Sequence, residues 1–78
     1  MAARITLYSR PGCHLCDDAR VIIERVCAET GNSFEEISID DHPALHERYS
    51  DEVPVTFVDG RQHDFWRVNE DRLRRALG

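Results

Sequence analysis

Two of the chain's three cysteines stand two residues apart in the stretch YSRPGCHLC, residues 8–16, just after a short apolar run. A Cys-x-x-Cys pair can cycle between dithiol and disulfide, supply half of a metal site, or serve as two inert thiols. At the start of a helix the redox chemistry is favoured. There the free backbone N–H groups and the positive end of the dipole stabilise a thiolate on Cys13. A free cysteine has a pKa of ~8.5, which motifs of this kind lower to ~3.5–7.5. Arg10, three residues upstream, adds a cation that favours the thiolate or receives a substrate carboxylate. Asp17 and Asp18 act in the opposite sense, because like charges raise a thiol's pKa. Facing solvent they are screened, and the dipole is expected to prevail. Cys13, the outer thiol, is then expected to attack a disulfide, and Cys16 to resolve the mixed disulfide, leaving Cys13–Cys16 oxidised. His14, between them, either stabilises the thiolate when protonated or stands in solvent with little effect.

The metal alternative has its own signature. Cys13-x2-Cys16 and His42-x3-His46 carry the intra-pair spacings of a Cys₂His₂ zinc site. The gap between the pairs is about twice the usual finger loop. An exposed helix face is the plainer account of the two histidines. Cys27 lies eleven residues after Cys16, about 16 Å along a helix axis. It is out of reach of the pair and reads as a small buried hydrophobe. His63 and Asp64 read as a polar sheet face, with no catalytic role assigned to either.

The elements that must position the dithiol follow from periodicity. Residues 4–8, RITLY, suit a strand, and Pro11-Gly12 interrupts it. From Cys13 the period changes: Leu15, Ala19, Ile22 and Val26 form one helical stripe, with Ile23 and Cys27 flanking, and Gly31-Asn32 stops it. In residues 33–40, Ile37 and Ile39 alternate with polar neighbours, as in a strand with one buried face. Residues 42–51 suit a short helix carrying Leu45 and Tyr49. VPVTFV, 53–58, is a strand, Asp59-Gly60 a two-residue hairpin turn, and 61–68 the returning strand. Asn69 caps a last helix, with Val68 and Leu73 as a hydrophobic staple. Leu73, Ala76 and Leu77 are expected on its buried side, and Trp66 is expected to pack in the core, with lining of a substrate groove as the alternative. The order β-α-β-α-β-β-α implies a parallel first pair, an antiparallel hairpin, and a four-stranded mixed α/β sheet flanked by helices. Cys13 falls at the junction of the first strand and the first helix.

Bulk properties narrow the function classes. Seventy-eight residues make one domain, which buries only about 60% of its unfolded surface. A net charge of −5, with fifteen acids against ten bases that are all arginine, argues against a nucleic-acid partner. No apolar run approaches the ~20 residues of a membrane span, and the N-terminus lacks the apolar core of a signal peptide. The expected setting is the cytoplasm, where three cysteines favour catalysis or metal binding over a disulfide framework.

Taken together, YSRPGCHLC after a strand, VPVTFVDG about forty residues later, and this element order resemble the glutaredoxins of the thioredoxin fold. The likeness extends over essentially the whole chain and is closest to the small bacterial glutaredoxin-like proteins. It implies thiol–disulfide oxidoreduction, with Cys13 and Cys16 as the reacting pair. It further implies that Pro54 is cis and faces the dithiol, and that Val53 offers its backbone to an incoming thiol peptide or glutathione. Arg10 and His14 complete the implied substrate site. No resident cofactor is implied; a low-molecular-weight thiol, glutathione or an equivalent, is the implied reductant. Protein disulfides or small thiol disulfides are the implied substrates, and a monomer is the default expectation for a chain of this size. The pattern departs from the family at two points. His14-Leu15 replaces the frequent Pro-Tyr inside the dithiol, and DFWRVNED stands where a Gly-Gly pair usually follows the hairpin. An iron–sulfur cluster shared between two chains and an external thiol, as in some glutaredoxins, and a non-catalytic binding module with a vestigial dithiol are the remaining alternatives.

Overall fold

In β1 (Ile5–Ser9), Ile5 and Leu7 are fully buried while Thr6 and Tyr8 are only partly so. That alternation builds a core on each face of the sheet. The computed structural model describes residues 3–78. After β1 come α1 (His14–Thr30), β2 (Phe34–Ser38), α2 (Pro43–Tyr49), β3 (Val55–Val58), β4 (Arg61–Phe65) and α3 (Glu70–Leu77). The strand order is β2-β1-β3-β4, with β1 and β2 parallel and the other two pairs antiparallel. This is the four-stranded mixed sheet expected from the sequence.

On one face, Ile5 and Leu7 pack against Ala19, Ile23, Val26 and Cys27 of α1 and Leu73 and Leu77 of α3. On the other, Tyr8 and Phe57 meet Tyr49 of α2, with ring centroids 5.3–6.1 Å apart. The local signals are fulfilled. Gly31 ends α1 in the left-handed region, at φ 71°, and Asn32 N–H donates to Cys27 C=O, closing the helix. Asp59 and Gly60 both have positive φ, 52° and 81°, which is what a tight turn matched to the strand twist requires. The Asn69 side chain accepts from Arg72 N–H, while Val68 and Leu73 share the core.

Several expectations are corrected. Ile39 is not a strand residue: β2 ends at Ser38, and a 3₁₀ turn, Ile39–Asp41, carries Ile39 into full burial against Cys16 and Val53. The returning strand stops at Phe65 rather than 68, because Trp66 takes a positive φ of 61°. Its N–H turns back to Pro54 C=O at 2.8 Å, and Arg67 N–H closes a γ-turn on Phe65 C=O. Trp66 therefore leaves the core and is 52% exposed. Ala76 is also exposed, since α3 turns only Leu73 and Leu77 inward. The remaining boundaries shift by a residue or two: α2 is shorter than 42–51, and β3 begins after Pro54.

His63 and Asp64 are polar members of β4 that are largely covered. An irregularity in the β3–β4 pairing accompanies them, and their side chains retain only 13% and 15% of their exposure. Asp64 accepts from Asn69 N–H and from the Arg72 guanidinium, fastening β4 to the start of α3.

Candidate active site

Cys13 is the N-cap of α1. Its backbone is extended, at φ −97° and ψ 111°, and its Sγ accepts the Cys16 N–H at 3.2 Å. A sulfur thus occupies the capping position usually held by a serine or aspartate oxygen. The reason is local: Pro11 and Gly12, with φ 75° at the glycine, turn the chain out of β1 and deliver Cys13 to the helix start. One turn later Cys16 is fully buried, and the two Cα atoms are 5.2 Å apart with the sulfurs joined as a disulfide. Cys13 is partly exposed and Cys16 is not. Only the outer sulfur can meet a partner without rearrangement.

The pair rests on an apolar floor of Ile39 and Val53, with Tyr8, Leu45 and Tyr49 packed against it. Val53–Pro54 is a cis peptide bond, as the resemblance implied, and Pro54 is fully buried. The loop therefore presents backbone rather than a proline ring. Val53 N–H is committed to Tyr49 C=O at 3.1 Å, and Pro54 C=O receives Trp66 N–H. The Trp66 indole N–H donates to Asp51 C=O at 2.8 Å. Glu52 N–H also donates to Tyr49 C=O, and Glu52 C=O shares the Trp66 N–H, so the backbone of residues 51–54 is held from within the protein.

An ion network stands behind the dithiol. Arg20 on α1 donates from Nε and Nη2 to both oxygens of Glu36 on β2, at 2.6 and 2.7 Å, and from Nη1 to Asp17 at 3.0 Å. Ser9, at the end of β1, donates to Glu36 at 2.6 Å. Arg20, and after it the Ser9 hydroxyl, hold the Glu36 carboxyl below the usual carboxylate range, against the opposing effect of burial. Asp17, the acid next to Cys16, is thus paired rather than free to oppose a thiolate.

The other candidates stand as follows. Arg10 and His14 are exposed beside Cys13, and Arg10 makes no ion pair among the described residues. His42 and His46 lie on the solvent side of α2, where His46 approaches Asp40 at 3.8 Å. The described residues gather no group of three His, Cys, Asp or Glu side chains able to hold a metal ion, so the dithiol and this pair are not brought together. Cys27 is buried in the α1–α3 core, and burial pushes its thiol up. Sequence reasoning missed the floor residue Ile39 and the flanking Tyr8, and it ranked core packing of Trp66 above the groove that Trp66 makes with Leu15. The alternation in β1 already separated Tyr8 from Ile5 and Leu7; Trp66 carried no such signal.

Residues 4–78 match the family model described as Glutaredoxin-like domain (DUF836). The chain belongs to the glutaredoxin-like family. An uncharacterized protein of Mycobacterium tuberculosis, Rv0508, is 32% identical over 76 residues, spanning 91% of this chain and 78% of that one. The X-ray structure of the X. campestris protein XcR50 is 39% identical, with a TM-score of 0.77 over 94% of this chain and 93% of that one. A glutaredoxin from Archaeoglobus fulgidus superposes with a TM-score of 0.64 at 21% identity, over 96% of this chain and 86% of that one. At that identity the likeness speaks for the fold, which is thioredoxin-like.

Proposed function

We propose that this protein is a thiol–disulfide oxidoreductase acting through Cys13 and Cys16. One observation carries the reading: the exposed sulfur caps the helix and accepts its N–H, while its partner lies buried at disulfide distance. A negative charge on Cys13 Sγ is favoured at that position by both the hydrogen bond and the dipole.

In the forward reaction the Cys13 thiolate attacks a substrate disulfide R–S–S–R′. A Cys13–S–S–R bond forms, the S–S bond of the substrate breaks, and R′S⁻ leaves. Cys16 then gives up its proton and attacks Cys13 Sγ, so that RS⁻ departs and Cys13–Cys16 is the disulfide. The substrate has gained two electrons and the protein has lost two. A low-molecular-weight thiol, supplied as two equivalents, returns them by the reverse sequence. Burial of Cys16 shields the resolving thiol from other disulfides until a mixed disulfide stands above it.

Supporting roles fall to the rim. The Val53 N–H is committed to Tyr49 C=O, so of its two backbone groups the carbonyl is the one left to an incoming peptide. Pro54 fixes that carbonyl's direction, and Arg10 and His14 receive anionic groups of the substrate. Protein disulfides and small thiol disulfides are both within reach of such a site, and the cytoplasm is the compartment that would keep the dithiol reduced.

Single-turnover exchange with a disulfide-linked peptide tests the assignment. Cys16→Ser is expected to accumulate a stable peptide adduct on Cys13, and Cys13→Ser to lose exchange. Full exchange by Cys13→Ser contradicts the proposal, and a wild-type protein that never exchanges leaves the binding-module alternative.

A further inference from the structure

Alongside the dithiol, α1 and the segment after β4 enclose a cavity of about 150 Å³. Leu15, Ala19 and Ile22 line it from the helix, and Trp66 and Val68 from the opposite side, with Asp18 and Arg67 as its charged members. Leu15 directly precedes Cys16, so the cavity begins on the same helical turn as the dithiol, with neither cysteine among its walls. From Leu15 to Ile22 it runs along α1 for about 10 Å, the length of roughly three residues of extended chain.

The cavity wall is built rather than incidental. Trp66 holds a backbone conformation that bulky residues rarely adopt, and it is fixed there by its N–H on Pro54 C=O and its indole N–H on Asp51 C=O. That second bond uses the indole's one polar atom. What the half-exposed ring offers outward is therefore wholly apolar. Phe65, 48% exposed, packs edge-on against it at 5.1 Å. Of the three large hydrophobics that stand exposed among the described residues, two are this pair.

We infer that this cavity is a specificity pocket for an apolar side chain carried by a protein substrate, two or three residues from the cysteine that Cys13 attacks. The inference rests on the oxidoreductase reading above and names its substrate class. Size fits, since an apolar cavity of about 150 Å³ accommodates a benzene-sized group. Charge fits as well: one carboxylate and one guanidinium leave the pocket without net charge, suited to a neutral group. Glutathione flanks its cysteine with a glutamyl and a glycyl group, and neither fills an apolar pocket. An extended polypeptide with leucine, methionine or phenylalanine near its cysteine does.

Two synthetic decapeptides test this, each with a single cysteine and differing only in leucine or serine three residues from it. Each is attached to Cys13 of the Cys16→Ser protein, and Trp66, the chain's one tryptophan, reports contact by fluorescence. The leucine peptide is expected to shift the emission and the serine peptide not to. In exchange equilibrium the leucine peptide is expected to be favoured about tenfold or more, the worth of burying one such side chain. Ile22→Glu, at the far end of the pocket, is expected to abolish both differences. It should leave unchanged the rate with bis(2-hydroxyethyl) disulfide, which is too small to reach the pocket. Equal fluorescence and equal affinity for the two peptides overturn the inference even if both are exchanged. Should wild-type protein fail to turn over either disulfide while the leucine preference on Cys13 persists, the oxidoreductase reading fails and the pocket stands.

Discussion

Ile39→Ala offers a quantitative probe of how the dithiol is supported. Ile39 has no exposed surface and packs directly beneath Cys16 and beside Val53. The substitution removes three buried carbons, worth about 2.5 kcal/mol at ~0.8 kcal/mol each. The void that remains adds up to about 2 kcal/mol, at ~24 cal/mol per Å³, unless the site collapses. For a chain of this size 1 kcal/mol corresponds to about 4–8 °C, so the oxidised protein should melt at least about 10 °C lower. Chemical denaturation of Ile39→Ala and Ile37→Ala, each in the oxidised state, is the assay. Ile37 is only partly buried, on the edge strand β2, and should cost clearly less. Equal losses would mean that residues 37 and 39 share one strand face and that Ile39 is not the floor of the dithiol. A loss below about 1 kcal/mol for Ile39→Ala would refute the burial argument outright.

Three further expectations follow from particular atoms. The Thr56 hydroxyl is fully buried on β3 without a hydrogen-bond partner among the described residues; Thr56→Val should stabilise the fold by about 1 kcal/mol, read as a raised denaturation midpoint. Glu36 has its folded pKa depressed by Arg20, so its contribution is present above the unfolded value of ~4.3 and lost as pH falls through the folded one. Glu36→Gln should accordingly flatten the acid limb of the stability–pH profile and lower stability at neutral pH, as acid titration of both proteins will show. Cys27 is buried, with its thiol pushed up; iodoacetamide should modify Cys13 in the reduced native protein and reach Cys27 only on unfolding.

The parts of the fold that sequence made legible are those specified locally. The Asp59-Gly60 turn, the Asn69 cap, the Gly31 stop and the stripe of α1 each depend on residues within a few positions of one another. The placement of Cys13 at a helix start followed from the Pro11-Gly12 interruption and the change of period after it. Ile39 and Trp66 were misplaced because distant partners decide them. Ile39 alternates correctly with Ile37 for a strand, yet the pocket under Cys16 draws it into a 3₁₀ turn. Trp66 has strong strand propensity, but its bonds to the carbonyls of Asp51 and Pro54 hold it out of the sheet. The same holds for the Arg20–Glu36 pair, sixteen residues apart, where a charge pattern alone names no partner.

The account's central claim is that Cys13 and Cys16 are a reversible redox couple. Mass spectrometry of the native protein across a graded thiol/disulfide buffer measures this directly. The expected result is a reversible loss of two hydrogens, mapped by peptide analysis to Cys13–Cys16, with Cys27 remaining a free thiol throughout. A pair that stays reduced across the whole buffer range, or that retains one metal ion per chain and resists oxidation, would contradict it.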